Sequence, residues 1–270
     1  MALTEYPAIE QRSEAWYDQR RGLVTASVVG SLLSIGTCTA IDFDCPNCLA
    51  FAGEPCCSKR TGEPIKTLHT ERAAVAKRDK TLIIEPASND TSRDLTALLV
   101  GERISGHTDP TFVSDDMWRG IEGEEHARRK YAECYAPVKQ VGFMVRDDWG
   151  FKIGFSPDGL VGDVGALEIK SPRQKGHVKT VLSDGVPIEH MAQIQCGLLV
   201  SGRAWLDFIS YNGGMKLWVK RIYPQPAWFE AIVKAVRAFE ANAAEMMRAY
   251  DERTADMPMT ERVIVEEMVI

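Results

Sequence analysis

Two carboxylates and one ammonium group lie within thirteen residues of one another. Asp158 belongs to a Ser-Pro-Asp-Gly segment, and Glu168 and Lys170 follow ten and twelve residues later. Carboxylate oxygens are ligands that Mg²⁺ prefers, and bound divalent ions can activate a water for attack on a phosphodiester. A nearby lysine can orient or deprotonate that water. These residue types at this spacing favour metal-dependent nuclease chemistry.

The Glu-x-Lys triplet is weak evidence when it is taken alone. Glu and Lys each make up roughly 6% of residues, so chance gives such a triplet about once in a chain of this length. A solvated ion pair on a strand face is therefore the competing interpretation. Because side chains alternate along a strand, Glu168 and Lys170 are expected on one face, with Leu167 and Ile169 in the core. The backbone carbonyl of Ile169 is a candidate further metal ligand.

The composition bounds the class of protein. A chain of 270 residues that is 45% hydrophobic and 26% charged fits one large globular domain, or one domain with an insertion. The net charge of −6 argues against general coating of nucleic acid, although a locally basic channel can coexist with acidic metal ligands. No apolar run approaches the ~20 residues of a membrane span and no signal-peptide pattern is present, which predicts a cytoplasmic protein. The seven cysteines then favour thiols or metal over disulfides.

The elements that position these residues follow from apolar periodicity and turn residues. Strands are predicted at 138–148, 151–155, 159–161 and 166–170, with a hairpin of 204–211 and 215–223 across an Asn-Gly-Gly turn. Helices are predicted at 14–22, at 25–33 with Thr25 as its N-cap, and at 91–103, 115–135, 174–184, 190–200 and 226–250. This order predicts an α/β fold with a mixed central sheet flanked by helices.

Five motifs follow one another along the part of the chain outside residues 37–90. They are Trp16 with the R-R-G-L-V-T-A-S segment 20–27, G-I-E-G-E-E-H-A at 120–127, S-P-D-G at 156–159, L-E-I-K-S-P at 167–172 and H-M-A-Q-I-Q at 190–195. In this order they resemble the phage lambda exonuclease family, also called the YqaJ-type viral recombinases. That family belongs to the PD-(D/E)xK superfamily, so the resemblance implies a restriction-endonuclease-like mixed sheet flanked by helices.

The resemblance implies roles for the acidic residues by position. Asp158 and Glu168 would bind Mg²⁺ or Mn²⁺, as two ions, with the Ile169 carbonyl as a further ligand. Lys170 would assist the attacking water. Glu124, on the helix before the sheet, would be an additional acid near the metals, and the neighbouring glutamates of that helix are alternatives to it.

The resemblance also implies a pocket for the 5′-phosphate of a duplex end. The matching positions are Arg20, Ser27, Ser156 and Gln193, whose guanidinium, hydroxyl and amide groups can donate to phosphate oxygens. Arg21 is an alternative to Arg20. Without the family, Gln193 would be interpreted as a polar residue on a helix face.

A second group of candidate ligands lies in the cysteine-rich segment. A C-x₂-C pair, a third cysteine and a later histidine have the chemistry of a tetrahedral structural zinc site. Cys45, Cys48, Cys56 and His69 are the predicted Zn²⁺ ligands, and Cys57 is left over. The C-P-x-C, G-x-P-C and H-x-x-R elements also resemble a small zinc-binding module of actinobacterial and phage proteins. Incidental thiols in a loop are the alternative.

The predicted domains are a nuclease domain of residues 1–36 and 90–253, an inserted zinc module of residues 37–89, and a C-terminal tail of residues 254–270. Basic residues of the insertion either contact DNA phosphates or form a solvated face. They are Lys59, Arg60, Lys66, Arg72, Lys77 and Arg78. The other cysteines, Cys38, Cys134 and Cys196, are expected to be buried as small hydrophobic residues.

The leading hypothesis is a Mg²⁺-dependent 5′→3′ exonuclease that resects double-stranded DNA ends for phage-type recombination. The resemblance further implies a homo-oligomer, a trimeric ring, and a single-strand-annealing protein as partner. A structure- or site-specific endonuclease on the same core is one alternative, which the predicted phosphate pocket disfavours. A non-catalytic, zinc-dependent DNA-binding protein is the other, which the intact Asp158, Glu168 and Lys170 disfavour.

Overall fold

The computed structural model describes residues 3–79, 81–109 and 114–262 of the chain. Residues 263–270 of the predicted tail lie outside the described residues. The strands are β1 (Leu3–Tyr6), β2 (Val24–Thr25), β3 (Leu33–Thr37), β4 (Leu82–Pro86), β5 (Phe143–Arg146), β6 (Ile153–Phe155), β7 (Gly159–Val161), β8 (Gly165–Lys170), β9 (Trp205–Ser210) and β10 (Trp218–Ile222). The helices are α1 (Glu14–Arg20), α2 (Thr70–Arg78), α3 (Asp90–Ser105), α4 (Asp115–Cys134), α5 (Gln174–Ser183), α6 (Ile188–Ser201) and α7 (Pro226–Thr254).

Two four-stranded mixed sheets form the α/β core. Their strand orders are β1-β5-β6-β2 and β10-β9-β8-β7. Each contains one parallel pair, β2 with β6 and β8 with β9, among antiparallel ones. Lys139 and Leu160 exchange backbone hydrogen bonds of 2.8 and 2.7 Å, which connects the segment before β5 to β7. The predicted mixed-sheet α/β class is confirmed, with the strands divided between two sheets joined by this bridge.

The two faces of β8 carry different contacts. Leu167 and Ile169 are buried in an apolar cluster with Ala127 and Tyr131 of α4. The larger core lies on the other side, where α3, α6 and α7 cover the sheets with side chains such as Phe155, Ile194, Phe208, Trp228 and Phe239. Burying each large apolar side chain contributes about 1.5–3 kcal/mol, so these two cores fix the orientation of β8 between them. The predicted alternation along β8 is confirmed.

The predicted helix 25–33 is wrong. The segment begins as β2, which pairs in parallel with β6 through Thr25 and Gly154, continues as a single 3₁₀ turn at Val29–Leu32, and leaves as β3. β-Branched valine and threonine side chains are stiff about χ1, which disfavours helix and favours the extended backbone. Thr25 is therefore a buried strand residue rather than a helix cap.

The cysteine-rich segment leaves the core through a hairpin. β3 and β4 pair in antiparallel register from Leu33–Pro86 to Thr37–Leu82, and both strands contact α7. The chain therefore enters and leaves the intervening segment at neighbouring points. Among the described residues, no helix is both long and apolar enough to cross a membrane.

Candidate active site

Asp158 is held against β8 by its backbone and its side chain. Its N–H donates to the Leu167 carbonyl at 3.3 Å, which extends the β7–β8 ladder by one residue. Its Oδ2 accepts a hydrogen bond of 2.6 Å from the Ile169 N–H. These two contacts place the Asp158 carboxylate beside the strand that carries Glu168 and Lys170.

Lys170 connects the acidic residues to α6. Its Nζ lies 2.8 Å from Glu168 Oε1, on the same face of β8, and donates to Gln193 Oε1 at 3.0 Å. The Glu168 side chain is buried, with 2% of its surface exposed. Gln193, predicted as a phosphate ligand, thus lies in contact with the predicted catalytic lysine.

Of the three neighbouring acids on α4, Glu124 is the one turned toward the site. Its side chain is 14% exposed and forms ion pairs with Arg128 and, at 2.9 Å, with Arg12. Glu122 and Glu125 are exposed, the latter beside Arg129. The choice of Glu124 over its neighbours therefore agrees with the geometry of the helix.

A cleft of about 670 Å³ opens between α4 and the N-terminal segment. Glu124 and Asp158 both line it, whereas Glu168 and Lys170 are not among its lining residues. The other lining residues include Ile9, Glu10, Gln11, Arg12, Arg128 and Pro157. The cleft therefore reaches the site from the side of Glu124 and Asp158.

Burial and mutual repulsion favour the protonated forms of the acids. Burial raises the pKa of Asp158 well above its usual range, and the carboxylates of Glu168 and Glu124 raise it further. Burial also raises the pKa of Glu168, with Lys170 only partly offsetting the effect. Burial lowers the pKa of Lys170, but the Glu168 carboxylate outweighs it, and the pKa is raised overall. The site has more negative charge than Lys170 alone neutralises.

The donor set fits a divalent cation. Among the residues that the structure describes, Glu168 Oε2 is buried and has no hydrogen-bond partner. A strand residue directs its N–H and C=O to the same side, so the Ile169 carbonyl leaves β8 on the side of Asp158. Two carboxylates and a carbonyl are hard oxygen ligands of the kind that Mg²⁺ and Mn²⁺ take. Asp158, Glu168 and Ile169 can hold such an ion, with Glu124 beside them.

Arg20 lies at the centre of a cluster of hydroxyl groups. It donates to Ser156 Oγ and Ser27 Oγ, each at 3.1 Å, and to Thr25 Oγ1 at 3.3 Å. Burial lowers the pKa of Arg20 to about 10, which leaves the guanidinium charged at neutral pH. A buried cation with converging hydroxyl groups is chemically suited to a phosphate. The structure thus brings together three of the four predicted phosphate ligands.

Arg20, and not Arg21, is the residue that faces this cluster. Arg21 pairs with Asp18 on α1, whereas the Arg20 guanidinium lies 4.0 Å from the ring centroid of Trp16. The Trp16 Nε1–H donates to Ser156 Oγ at 2.9 Å. Trp16 therefore orients both the cation and the serine hydroxyl of the pocket.

The phosphate cluster and the acids share one turn. Ser156 contacts Arg20, and Asp158, two residues later, contacts β8. Consecutive Cα atoms are 3.8 Å apart, so the two Cα atoms are at most about 7.6 Å from one another. The Arg20 cluster and Asp158 are therefore joined by one short segment of the backbone.

The four predicted zinc ligands converge. The ligand atoms of Cys45, Cys48, Cys56 and His69 all lie within 4.8 Å of one another, and Cys45 Sγ is 3.5 Å from His69 Nδ1. Zn–S and Zn–N bonds of about 2.3 and 2.0 Å at a tetrahedral angle require an S···N separation of about 3.6 Å. The Cys57 N–H donates to Cys48 Sγ and lowers the pKa of Cys48 to about 6, which favours the thiolate that binds metal. The residues fit a structural zinc ion.

Arg72 is completely buried beneath this cluster, so neither of the two alternatives, DNA contact or a solvated face, applies to it. Its guanidinium donates to four backbone carbonyls, and Nη1 also lies 3.5 Å from Cys56 Sγ. The four acceptors are the carbonyl oxygens of Phe43 (2.7 Å), Glu54 (2.7 Å), Ile41 (3.1 Å) and Phe51 (2.8 Å). The other five basic residues of the segment are exposed.

Comparison with known proteins agrees with this geometry. Residues 80–204 match the family model of the YqaJ-like viral recombinase domain. This part of the chain is therefore similar to that domain. Residues 11–87, which contain the zinc ligands, match the model described as a "putative DNA-binding phage zinc finger domain". No curated protein sequence matches the chain.

Solved structures show a similar fold. An alkaline exonuclease from Laribacter hongkongensis superposes with a TM-score of 0.66 at 24% identity, covering 91% of this chain and 100% of that one. Its complex with dAMP gives a TM-score of 0.65 at the same identity and coverage. The predicted resemblance to this family and the predicted fold are confirmed, and they support the prediction of a nuclease.

Sequence reasoning missed several residues of the site. Trp16 is part of the recombinase-like motif but had no assigned role, and Thr25 was interpreted as a helix cap. Arg128 follows Glu124 by four residues, a spacing at which oppositely charged side chains meet on one helix face. This spacing is the sequence signal that could have identified Arg128. Of the cysteines expected to be buried, Cys196 is buried, whereas Cys134 is exposed and Cys38 is half-buried.

Proposed function

We propose that this protein is a Mg²⁺-dependent exonuclease that resects linear double-stranded DNA in the 5′→3′ direction. The product would be the single-stranded DNA that phage-type homologous recombination uses. The observation that carries the proposal is the convergence of Asp158, Glu168 and Lys170 next to the Arg20 cluster. The first three residues supply hydrolytic chemistry, and the cluster supplies recognition of a phosphate at a chain end.

Each side chain has a role that follows from its contacts. Asp158 and Glu168 would hold a divalent cation, which would activate a water and neutralise the leaving oxygen when it is bound. The raised pKa of Lys170 favours the ammonium form, so Lys170 acts as a donor that orients the attacking water. Gln193 accepts from Lys170 and thereby keeps its Nζ directed toward Glu168. Glu124 adds negative charge on the cleft side.

The phosphate cluster accounts for the proposed polarity. A terminal 5′-phosphate carries more negative charge than an internal phosphodiester, and it offers more oxygens to Arg20, Ser27 and Ser156. Binding of that group places the adjacent phosphodiester near Asp158, because Ser156 and Asp158 lie in one turn. An enzyme that cuts within a duplex has no need of such a pocket.

The test uses three DNA substrates with Mg²⁺: a linear duplex with 5′-phosphate ends, the same duplex with 5′-hydroxyl ends, and a closed circle. We expect the phosphorylated duplex to be degraded fastest and the circle to persist. Cleavage of the circle would instead indicate an endonuclease. Binding to all three substrates without any cleavage would indicate a non-catalytic DNA-binding protein.

Further properties extend this proposal. The family resemblance implies a trimeric ring and a single-strand-annealing partner, and light scattering of the purified protein tests the ring directly. The zinc module is proposed to bind DNA beside the nuclease domain, through exposed basic residues such as Lys59, Arg60 and Lys66. Replacement of these three by serine should then reduce DNA affinity and its salt dependence while the zinc content stays unchanged.

A further inference from the structure

Arg128 connects α4 to the turn that carries Asp158. Its Nε–H donates to the backbone carbonyl of Asp158 at 2.7 Å, and its Nη2 pairs with a carboxylate oxygen of Glu124. The side chain is 13% exposed. One guanidinium therefore contacts the backbone of one candidate metal ligand and the carboxylate of the neighbouring acid.

The backbone at Asp158 is thus held from two directions. The Asp158 N–H is bonded to Leu167 of β8, and the Asp158 carbonyl is bonded to Arg128 of α4. These two groups belong to the peptide units on either side of the Asp158 Cα, so both units are held and the direction of the Asp158 side chain is restrained with them. Arg128, on α4, provides one of these two hydrogen bonds.

Arginine is suited to this position for a geometric reason. The guanidinium carries five N–H donors in a rigid plane, so Nε and Nη2 can donate to two separate oxygens at once. Glu124 and Arg128 are four residues apart on α4 and share one helix face. A lysine at the same position would keep the charge but would offer a single nitrogen.

Arg12 provides an internal comparison. It also pairs with Glu124, at 2.9 Å, but its side chain is 44% exposed and, among the described residues, forms no hydrogen bond with Asp158. Removing Arg12 takes one cation away from Glu124 and leaves the Asp158 turn intact. Removing Arg128 takes away a cation and also releases the turn.

We propose that Arg128 is a positioning residue for the metal centre. It holds the Asp158 turn and the Glu124 carboxylate at the spacing that lets both face one oxygen-liganded divalent cation. The inference rests on the proposed function in one respect, namely that this cation is the ion used for hydrolysis. Outer contacts of this kind typically change metal affinity by about 10–100-fold.

The experiment measures Mn²⁺ binding by calorimetry to the zinc-loaded full chain without DNA, followed by nuclease rates over a range of Mn²⁺ concentrations. Asp158→Asn sets the background of unspecific Mn²⁺ binding. For Arg128→Gln we expect a Kd about 10–100-fold higher than that of the wild type. We also expect half-maximal rate at a correspondingly higher Mn²⁺ concentration, with the rate at saturating Mn²⁺ within about fivefold of the wild type. Arg12→Gln should bind Mn²⁺ within about threefold of the wild type.

Arg128→Lys keeps the experiment decisive if Arg128→Gln does not fold, since it retains the charge beside Glu124. The Arg128→Lys protein should bind Mn²⁺ at least about tenfold more weakly than the wild type, because a single ammonium group cannot hold both oxygens. Wild-type Mn²⁺ affinity in a folded Arg128 variant would overturn the proposal, as would a lower saturating rate without any shift in Mn²⁺ dependence. A wild-type protein that binds Mn²⁺ but cuts no DNA would refute the proposed function and leave the binding comparison valid.

Discussion

Replacing Arg72 by methionine should destroy the zinc site, although Arg72 is not a metal ligand. Methionine is similar in length and apolar, so it fills most of the volume while removing every donor. The guanidinium is completely buried and donates to four carbonyls that belong to two separate stretches of the loop, 41–43 and 51–54. Its loss would leave these carbonyls and the Cys56 thiolate without their shared cation.

The magnitude follows from the number of hydrogen bonds. A hydrogen bond to a charged group contributes about 1.5–3 kcal/mol, so four of them amount to about 6–12 kcal/mol as an upper bound. Water reaching some of the released carbonyls reduces this sum, and about 4 kcal/mol is a conservative lower value. Folding of a small zinc module and binding of zinc are coupled, so 4 kcal/mol corresponds to about a thousandfold weaker apparent zinc affinity.

The assay is competition for zinc between the purified protein and a chromogenic chelator under reducing conditions. We expect Arg72→Met to release its zinc at about a thousandfold lower chelator activity than the wild type. Arg78→Met, on the exposed face of the same helix, is the matched control and should behave like the wild type. An Arg72→Met protein that holds zinc within tenfold of the wild type would show that the carbonyl contacts do not organise the site.

Two further predictions concern the nuclease domain. Arg20→Gln should lower the rate on 5′-phosphorylated duplex ends by about 30–1000-fold, equivalent to about 2–4 kcal/mol, with little change on 5′-hydroxyl ends. Arg21→Gln is its control, because Arg21 pairs with Asp18 outside the cluster. Burial lowers the pKa of His190 to about 4, whereas an unfolded histidine titrates near 6.5. The unfolded chain therefore takes up this proton first, and stability that is present above pH ~6.5 is lost as the pH falls toward 4. Because the side chain is partly exposed, we expect the free energy of unfolding, measured with urea, to fall by about 1–2 kcal/mol over this pH range. His190→Gln should not show this loss. His126→Gln, which replaces an exposed histidine, is the control and should show it.

Local patterns were sufficient to predict much of this fold. The alternation around Glu168 correctly separated the core face of β8 from the site face, because strand periodicity depends only on neighbouring residues. The C-x₂-C pair with a later cysteine and histidine located all four zinc ligands, since their chemistry restricts the choice. The roles of the nuclease residues were implied by the family resemblance and stay predictions.

Other features depend on contacts that the sequence does not encode locally. The buried position of Arg72 results from two loop stretches closing around it, and a basic residue in a polar segment is ordinarily solvated. Thr25 lies in a strand because β6, more than a hundred residues later, pairs with it. Arg128 meets Asp158 only after α4 has packed on β8. These contacts join distant parts of the chain, so spacing along the sequence could not predict them.

Asp158, Glu168 and Lys170 are proposed to hydrolyse DNA from a 5′ end. The decisive experiment uses a linear duplex labelled at either the 5′ or the 3′ end of one strand, incubated with Mg²⁺ and either the wild type or Lys170→Ala. The wild type should release the 5′ label at once as a mononucleotide and the 3′ label only late, while Lys170→Ala binds the duplex but releases neither. Early release of the 3′ label, or turnover by Lys170→Ala at the wild-type rate, would contradict the account.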